Sequence, residues 1–441
     1  MAAGGAGWEA RILPLLAAPG SPVSLARRCV DVPDLIAAAA AGQGTVAAVS
    51  AGLPGLDADV VARLVVDGVA VVAVAGDTSS ASRMIHLGID AVVQADTVAA
   101  DPAVLVARAV ELGAGGARSM VGDSRPSGPP RAAGAATEGA EGAAAGRLVA
   151  VWGPTGAPGR STVALGLGAA AAEGGTETLL VDADVYGGAT AQMLAVLDEV
   201  SGVLSAARAA STGSLDASAL ADAARQVSQR LRVLTGLPRA DRWTALGPAA
   251  LRGVLDRARR AAPLVVVDCG FCIEVDEELS YDTAAPRRNG ATVTALERAD
   301  LVVLVGSADP LGLARLARAR HDLRDRVPDA RVRLVVNRVR GGLGWSRDDV
   351  SRTLLRAIGE VPLAYLPLDQ AAVDACWITG QTLTEAAAQS PLARAMTELA
   401  AAVGRELEPE AVPGSRPGAR AGARSGATAR SAGRRRSRLR R

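Results

Sequence analysis

The stretch Leu148–Glu173, LVAVWGPTGAPGRSTVALGLGAAAAE, decides the fold. Its first five residues form an apolar run typical of a buried strand, and Val163–Glu173 has the composition of a helix. Gly153–Thr162, GPTGAPGRST, joins them as a glycine-rich loop. A strand, such a loop and a helix in this order indicate a phosphate-binding loop, because the backbone N–H groups and the helix dipole attract the same anion.

The loop departs twice from the strict pattern G-x-x-x-x-G-K-[ST]. Pro154 stands at the first glycine and Arg160 at the lysine, whereas Gly159 and Ser161 fit. Lysine is absent from the whole chain, so composition explains Arg160, whose guanidinium keeps the charge but is planar and bulkier. Taken alone, the loop also fits an ordinary glycine-rich turn between a strand and a helix.

Polar side chains stand at the ends of three further apolar runs. They are Asp182 and Asp184 after LLV, Asp268 after PLVVV, and Asn337 after RLVV. The carboxyl ends of parallel strands meet at one edge of a sheet, where such sheets bind ligands. Carboxylates at that edge suit Mg²⁺, which takes oxygen ligands. The sequence therefore predicts an α/β domain over residues 147–405, with a mainly parallel sheet covered by helices.

Composition separates the rest of the chain into segments. Residues 113–146 are rich in Gly, Ala, Pro and Ser without a periodic apolar face, which predicts a flexible linker. Residues 406–441 predict a disordered tail, in which 411–441 hold ten arginines and no acid. Because the whole chain carries +2, the part before this tail carries −8. A plain solvated tail is one interpretation, and attraction to an anionic membrane surface or, second, to nucleic acid is the other.

Residues 8–112 alternate short apolar runs with helical patterns, which predicts a separate α/β domain with a parallel sheet. The expected strands are Arg11–Leu16, Val23–Val30, Thr45–Ser50, Val69–Ala75 and Ala91–Val93. The expected helices are Asp34–Ala41, Ala58–Val66 and Ser79–Leu87.

Part of this domain, VAAVSAGLPGLDADVV followed by VAVVAVAG and LGIDAVV, resembles a response-regulator receiver domain. The resemblance implies a phosphorylated aspartate at the end of the third strand, where Ser50 or Ala51 stands. Ala75 and Gln94 lie near the places of the family's switch hydroxyl and lysine. We therefore expect a degenerate receiver-like domain that takes up no phosphate, with a plain α/β docking domain as the alternative.

The order of motifs in residues 147–405 resembles the ParA/MinD family of P-loop ATPases. Within it, CpaE/TadZ-type proteins of Flp/Tad pilus localisation and septum-site-determining proteins are most similar, since they join a degenerate receiver to a MinD-like domain. The resemblance implies ATP and Mg²⁺ as cofactors, with ATP or ADP bound, and a homodimer. It also implies pilus-assembly or cell-division proteins as partners.

The resemblance assigns roles within the phosphate loop. The matching residues are Gly156, Gly159, Arg160, Ser161 and Thr162. Ser161 would be a Mg²⁺ ligand, Thr162 would contact the α-phosphate, and Arg160 would serve catalysis.

Roles are also implied at the strand ends. Asp268 resembles a Walker B acid and forms the metal site with Asp182 and Ser161, while Asp184 would orient the attacking water. Asn337 matches the asparagine that recognises adenine, and Pro367 begins the loop beside the base.

Thr155 departs from the family pattern, because a signature lysine there reaches the partner's nucleotide in the ATP dimer. A neutral side chain cannot offset phosphate charge, so we expect ATP binding with slow hydrolysis. A nucleotide-binding scaffold without significant turnover is the first alternative. A ParA-like partition protein that binds DNA nonspecifically is the second, and a metabolic P-loop enzyme ranks below both because no substrate site is evident.

Targeting signals and cysteines add little to the expected function. The sequence shows neither a signal peptide nor an apolar run long enough to span a bilayer, so a cytoplasmic protein is expected, peripheral on the inner face of the plasma membrane if the tail docks there. CGFC (Cys269–Cys272) has redox-motif spacing, but it follows the Walker B strand directly and has no second cysteine pair. A redox or metal role is the weaker interpretation.

Overall fold

The computed structural model describes residues 1–89, 91–119, 145–156, 159–196, 200–274 and 287–408. The expected linker after residue 119 and the arginine-rich tail after residue 408 lie outside the described residues. Within them the chain forms two mainly parallel sheets packed against helices, which confirms the α/β class. No helix in these ranges is long and apolar enough to cross a membrane.

The N-terminal part contains a small parallel sheet in the order β1-β2-β3. Its strands are β1 (Val46–Ser50), β2 (Ala70–Ala75) and β3 (Ala91–Gln94). Its helices are α1 (Trp8–Leu16), α2 (Val32–Ala40), α3 (Ala58–Val66), α4 (Thr78–His86), α5 (Ala95–Ala100) and α6 (Ala103–Ser119).

Two of the expected strands are wrong. Arg11–Leu16 lies inside helix α1, because Trp8 and Ile12 are four residues apart and bury one helical face. Val23–Val30 forms no strand of the sheet, and Val30 is 82% exposed. Near its end, however, the backbone bonds to the first residue of the chain: Met1 N donates to Arg27 O at 2.9 Å, and Cys29 N donates to Met1 O at 2.8 Å.

The first residues of the chain extend the small sheet beyond β1. Ala2 forms a parallel bridge with Val49, and Ala2 N donates to Ala48 O at 2.9 Å. Five extended segments therefore lie side by side, in the order Arg27–Cys29, Met1–Ala3, β1, β2, β3.

Two segment boundaries differ from the expected ones. Helix α6 continues to Ser119, into the segment assigned to the linker. Its buried Leu105 and Val106 anchor it, and propagation adds one backbone hydrogen bond per residue beyond that anchor. At the other end, the last helix continues to Leu407, past the expected start of the tail, and Glu406 is ion-paired with Arg331 and with Arg333 at 3.0 Å.

The larger sheet has eight strands in the order β11-β10-β9-β4-β8-β5-β7-β6, and only the β6–β7 pair is antiparallel. The strands are β4 (Arg147–Trp152), β5 (Thr178–Ala183), β6 (Arg225–Gln226), β7 (Leu231–Leu234), β8 (Leu264–Cys269), β9 (Leu301–Ser307), β10 (Val332–Val339) and β11 (Ala364–Pro367). The central strands are buried along nearly their whole length, which explains why they read as continuous apolar runs.

Helices cover both faces of this sheet. They are α7 (Arg160–Glu173), α8 (Thr190–Met193), α9 (Gly202–Ser211), α10 (Ala217–Ala223), α11 (Pro248–Ala261), α12 (Gly290–Arg298), α13 (Pro310–Arg326), α14 (Arg347–Ile358), α15 (Gln370–Thr379), α16 (Leu383–Ala386) and α17 (Pro391–Leu407). Short 3₁₀ turns occupy Ala240–Ala245 and Gly341–Leu343.

The two faces have separate cores. Helices α7 and α17 pack on one face, and α9, α11 and α13 pack on the other. Gly166 lets α7 approach α17 closely, since a Cβ there would lie 3.0 Å from Met396 Sδ. The helix that carries the phosphate loop is therefore fixed from behind by the last helix of the domain.

The small sheet's helices contact the larger domain. Asp59 on α3 accepts a hydrogen bond from Ala249 N at 3.1 Å, and burial raises the pKa of this carboxyl. His86 Nδ1 on α4 lies 3.2 Å from Gly213 O. Residues 1–407 thus form one compact unit.

Candidate functional site

The phosphate loop lies between β4 and α7, as expected. Gly156 and Gly159 adopt left-handed backbone conformations, with φ of 66° and 91°, and Gly159 is the N-cap residue directly before α7. Glycine takes this conformation without the steric cost of a Cβ. The open N-terminus of a 14-residue helix faces the loop, which is the arrangement that attracts a phosphate. Residues 157–158 lie outside the described ranges.

Arg160 folds back over the loop. Its Nη1 donates to Gly153 O at 3.3 Å and to Pro154 O at 3.2 Å. Its Nη2 lies 3.7 Å from Asp184 Oδ2, and the two side chains are only 15% and 6% exposed. The guanidinium therefore bridges the loop and the strand-end carboxylate, at the place where a bound phosphate would compete for it.

Asp182 and Asp268 lie directly opposite each other on the neighbouring strands β5 and β8, and both are fully buried. Asp182 accepts hydrogen bonds from Asp184 N at 3.2 Å and from Thr190 N at 3.1 Å. Burial, which outweighs these bonds, raises the pKa of Asp182 to about 6. A Cβ at Gly236 would lie 2.5 Å from the Asp182 carboxyl carbon, so the glycine makes room for this side chain.

Asp268 is the least satisfied polar group of the site. Both of its carboxylate oxygens are buried and lack a hydrogen bond of normal geometry within the described part of the chain. Burial first, and then the neighbouring Asp182, hold the pKa of Asp268 well above its ordinary range, although the Ser161 hydroxyl partly offsets this. Buried polar atoms without partners are rare, so this pair of oxygens needs a cationic or donor ligand.

These donors fit Mg²⁺. The ion takes one or two carboxylates together with hydroxyl, water and phosphate oxygens, and Ser161, Asp182 and Asp268 are of that kind. Among the described residues, no group of three or more His, Cys, Asp and Glu side chains could hold a metal by itself.

Asp184 occupies the loop after β5 and is 5% exposed. Its Oδ1 accepts hydrogen bonds from Tyr186 N at 2.9 Å and from Gly187 N at 3.2 Å, while Oδ2 faces Arg160. The backbone bonds fix the carboxylate at the mouth of the site. The role of Asp184 in orienting a water molecule stays a prediction.

Asn337 approaches the loop from the other side. Its Nδ2 lies 2.5 Å from the position that a Cβ on Gly159 would occupy. Its Oδ1 accepts a hydrogen bond from Arg338 N at 2.8 Å. Arg338 has an unusual φ of 56°, which turns the chain at the end of β10. Pro367 is the last residue of β11 and pairs with Val339, so Asn337 and Pro367 lie on neighbouring strands, and their contact with adenine stays a prediction.

The expected site residues thus lie at one edge of the sheet, and Thr162 joins them with its Cβ 3.9 Å from the position that a Cβ on Gly159 would occupy. Thr162 belongs to the first turn of α7 and lines a small apolar hollow that also contains Met193, Val373 and Trp377. Its contact with an α-phosphate remains a prediction.

An aromatic and cationic cluster beside the site was not anticipated. The rings of Tyr186 and Phe271 have centroids 4.7 Å apart, with Arg160 5.9 Å above Phe271 and Arg288 4.1 Å above Tyr186. Burial, and next the contact with Cys272, raise the pKa of Tyr186 to about 12. The sequence could have indicated this cluster. The only Phe of the chain and one of its three Tyr follow the two strands that carry Asp182 and Asp268.

The cysteines of CGFC show no sign of redox pairing. Cys269 is buried and Cys272 is half-buried, and both are free thiols. Burial raises the pKa of Cys269 well above its ordinary value, which disfavours the reactive thiolate.

Comparison with known proteins gives the fold of this site. No family model matches the chain, and no curated protein matches it. Among solved structures, a ParA family ATPase from Chlorobium tepidum TLS is similar at 19% identity, with a TM-score of 0.50, over 58% of this chain and 99% of that one. The cell division ATPase MinD of Pyrococcus furiosus matches 59% of this chain and 99% of its own at 19% identity, with a TM-score of 0.46.

A third similar structure is the septum site-determining protein MinD complexed with Mg-ADP from Pyrococcus horikoshii OT3. It is 18% identical, covers 58% of this chain and 95% of its own, and has a TM-score of 0.45. The domain that carries the glycine-rich loop and the strand-end acids therefore shares the fold of the ParA family ATPase. Its structural neighbours are ParA/MinD-family ATPases, and the expected resemblance to that family is confirmed at the level of the fold.

Proposed function

We propose that residues 147–405 bind Mg·ATP and that the protein is a MinD/CpaE-like ATPase that positions an assembly, either an Flp/Tad pilus or a division septum. The observation that carries this proposal is Asp268, a buried carboxylate without a partner, opposite Asp182 and beside a phosphate loop. Such a carboxylate pair is costly unless a cation accompanies the ligand.

In this proposal, different residues bind the metal ion, the phosphates, the attacking water and the base. Ser161, Asp182 and Asp268 hold the ion, which when bound would neutralise charge on the transferring phosphate. Arg160 exchanges its hydrogen bonds to the loop carbonyl oxygens for hydrogen bonds to a phosphate oxygen. Asp184 positions the attacking water, and Asn337 contacts the base. Thr155 is exposed and neutral, so hydrolysis is proposed to be slow.

Binding is tested by calorimetric titration of the full chain with Mg·ATP. We expect a dissociation constant in the micromolar range, and its loss in Ser161→Ala. Ser346→Ala is the matched control, since this serine also lies at a helix start but only caps α14. Absence of binding at roughly 1 mM, the weak end of the affinity scale, would contradict the proposal.

A scaffold without significant hydrolysis is the second candidate, and the neutral Thr155 favours it. Phosphate release distinguishes the two functions, because a scaffold binds Mg·ATP but releases none above background. A ParA-like partition protein would instead retard random DNA in a salt-sensitive manner, since phosphate contacts release counterions.

The N-terminal domain is proposed to be a degenerate receiver. The order of its five extended segments, with Met1–Ala3 between Arg27–Cys29 and β1, corresponds to the 2-1-3-4-5 order of doubly wound receiver-type sheets. In that order β1 is the third strand in sequence, and it ends at Ser50 where a receiver carries its aspartate.

Cellular placement and partners are proposed on the basis of the family resemblance. The protein would be cytoplasmic and dimeric, with pilus-assembly or cell-division proteins as partners. The tail, with ten arginines and no acid in 411–441, supports docking on an anionic membrane surface more than binding to nucleic acid, since it lacks aromatics for stacking on bases.

A further inference from the structure

One cation near the phosphate loop has no role in the proposed site. Arg315 lies in the second turn of α13 and is half-buried. The helix is held in place by the buried Leu313 and Leu316 and is capped by Asp309, which accepts from Gly312 N at 2.8 Å. Arg315 therefore extends from a rigid element.

The strand order brings this helix to the loop. Strand β9, which leads into α13, pairs directly with β4, which leads into the phosphate loop. The segments that follow the two strands are therefore neighbours at the ligand-binding edge of the sheet.

The contact itself falls on Gly156. The Arg315 guanidinium carbon lies 3.2 Å from the position that a Cβ on Gly156 would occupy, and Nη1 lies nearer still. Since Gly156 also has a φ of 66°, any other residue there would be strained and would displace the guanidinium. The glycine thus lets a cation rest against the loop.

Arg315 has no counter-charge within the described part of the chain. It forms none of the ion pairs or side-chain hydrogen bonds found there, whereas Arg320 on the same helix pairs with Glu360 at 2.8 Å. Asp309, the nearest acid along the helix, already bonds Ser307 and Gly312. A half-buried guanidinium without an anion has lost part of its hydration, and an anionic ligand would offset that loss.

We infer that Arg315 is a nucleotide-binding residue that donates hydrogen bonds to the polyphosphate held by the loop of its own protomer. This inference rests on the proposed function, since it requires a nucleotide at that loop. The guanidinium of arginine suits phosphate because its planar set of donors can bind two oxygens at once. Arg315 would add affinity in the ground state, separate from the cation absent at Thr155.

The test measures dissociation constants for Mg·ATP and Mg·ADP by calorimetry on the full chain. Arg315→Ala should weaken Mg·ATP binding by roughly 10- to 100-fold, as expected for lost hydrogen bonds to a charged group. The loss should be smaller for Mg·ADP and should shrink as salt screens the interaction. Arg315→Lys, which keeps the charge, should recover part of the affinity.

Arg318→Ala is the matched control, because Arg318 is an exposed arginine one turn further along the same helix. It should bind like the wild type. Melting of the unliganded variants separates binding from packing, since a ligand contact leaves the free protein's Tm unchanged.

The outcomes distinguish the two proposals. If the wild type binds Mg·ATP and Arg315→Ala binds it equally well, the role of Arg315 is wrong and the proposed function stands. If Arg315→Ala and Arg315→Lys both melt early and lose equal affinity, Arg315 only packs the loop. If the wild type binds no Mg·ATP, the proposed function fails, and the inference with it.

Discussion

In both the small and the large sheet, polar side chains lie at the carboxyl ends of parallel strands. The two sheets differ in whether these side chains have hydrogen-bond partners. In the small sheet, Asp77 after β2 caps α4 by accepting from Ser80 N at 2.7 Å, and Ser50 Oγ accepts from Gly52 N at 3.3 Å. In the large sheet, Asp268 has no hydrogen bond within the described residues, and it faces a second buried carboxylate, Asp182. The polar groups at the small sheet's edge thus have hydrogen-bond partners, whereas the buried oxygens of Asp268 at the large sheet's edge have none within the described residues.

The difference shows that the backbone alone does not make a ligand site. Both sheets bring loops together at the carboxyl ends of parallel strands, but only the large sheet places unneutralised oxygens and a glycine loop there. Function is carried by those side chains on a shared architecture. Two kinds of experiment test this difference. One changes side chains at the edge of the large sheet, and the other offers a phosphoryl donor to the edge of the small sheet.

The largest effect is expected from Asp268→Asn, which keeps the shape and removes the charge. The variant should lose the stabilisation by Mg·ATP, which is about 2.7 kcal/mol when the ligand is at 100 times its dissociation constant. The unliganded variant should be more stable than the wild type by about 1–3 kcal/mol, because the amide can donate to the neighbouring carboxylates. Thermal unfolding with and without Mg·ATP measures both changes.

Ser50→Ala is the control from the small sheet. It should leave the response to Mg·ATP intact and change the stability only slightly, because the serine makes one exposed local bond. Two results would contradict this expectation. The wild type could show no change of Tm with Mg·ATP, or the Asp268→Asn variant could keep that change. Either result would mean that Asp268 does not take part in binding Mg·ATP.

A smaller effect is expected from Thr155→Lys, which adds a cation at the exposed position of the loop. Cations that act across an interface can be worth roughly 10³–10⁵ in rate in related NTPases. We expect turnover to rise at least several-fold in a steady-state phosphate-release assay.

The double variant Thr155→Lys with Asp184→Ala should return to the baseline rate, because the water is no longer positioned. Should wild-type turnover already equal that of ordinary MinD-type ATPases, and Thr155→Lys change nothing, another residue supplies the charge.

The smallest effect, none at all, is expected when the full chain is treated with an acyl-phosphate donor. Strand β1 ends at Ser50 and is followed by Ala51, and neither residue offers a carboxylate to phosphorylate. Mass spectrometry should find no acid-labile phosphoryl group on residues 1–112. A phosphoryl group found on these residues would show that the small domain accepts phosphate, and the expectation would be wrong.

The large domain was predictable because its strands are buried on both faces. Such strands are uninterrupted apolar runs, and Asp182, Asp268 and Asn337 stand at their ends where the sequence pattern can be read directly. The small domain was harder, since the apolar run at Arg11–Leu16 hid the four-residue spacing of Trp8 and Ile12 that makes it a helix.

Contacts between distant segments could not be predicted in the same way. The approach of Arg315 to Gly156 depends on β9 pairing with β4, which no local pattern specifies. The tilted contact between the Phe271 and Tyr186 rings similarly requires the neighbouring order of β5 and β8. Pairing of segments far apart in the chain is a property of the whole fold.

The bond from Trp152 to Phe271 has a spectroscopic consequence. Trp152 is the last residue of β4, is 1% exposed, and donates through Nε1 to Phe271 O at 3.2 Å. Its indole therefore links the residue before the phosphate loop to the segment after β8. Because indole emission depends on burial and hydrogen bonding, a rearrangement of the two segments should change the emission of this tryptophan, which is one of five in the chain.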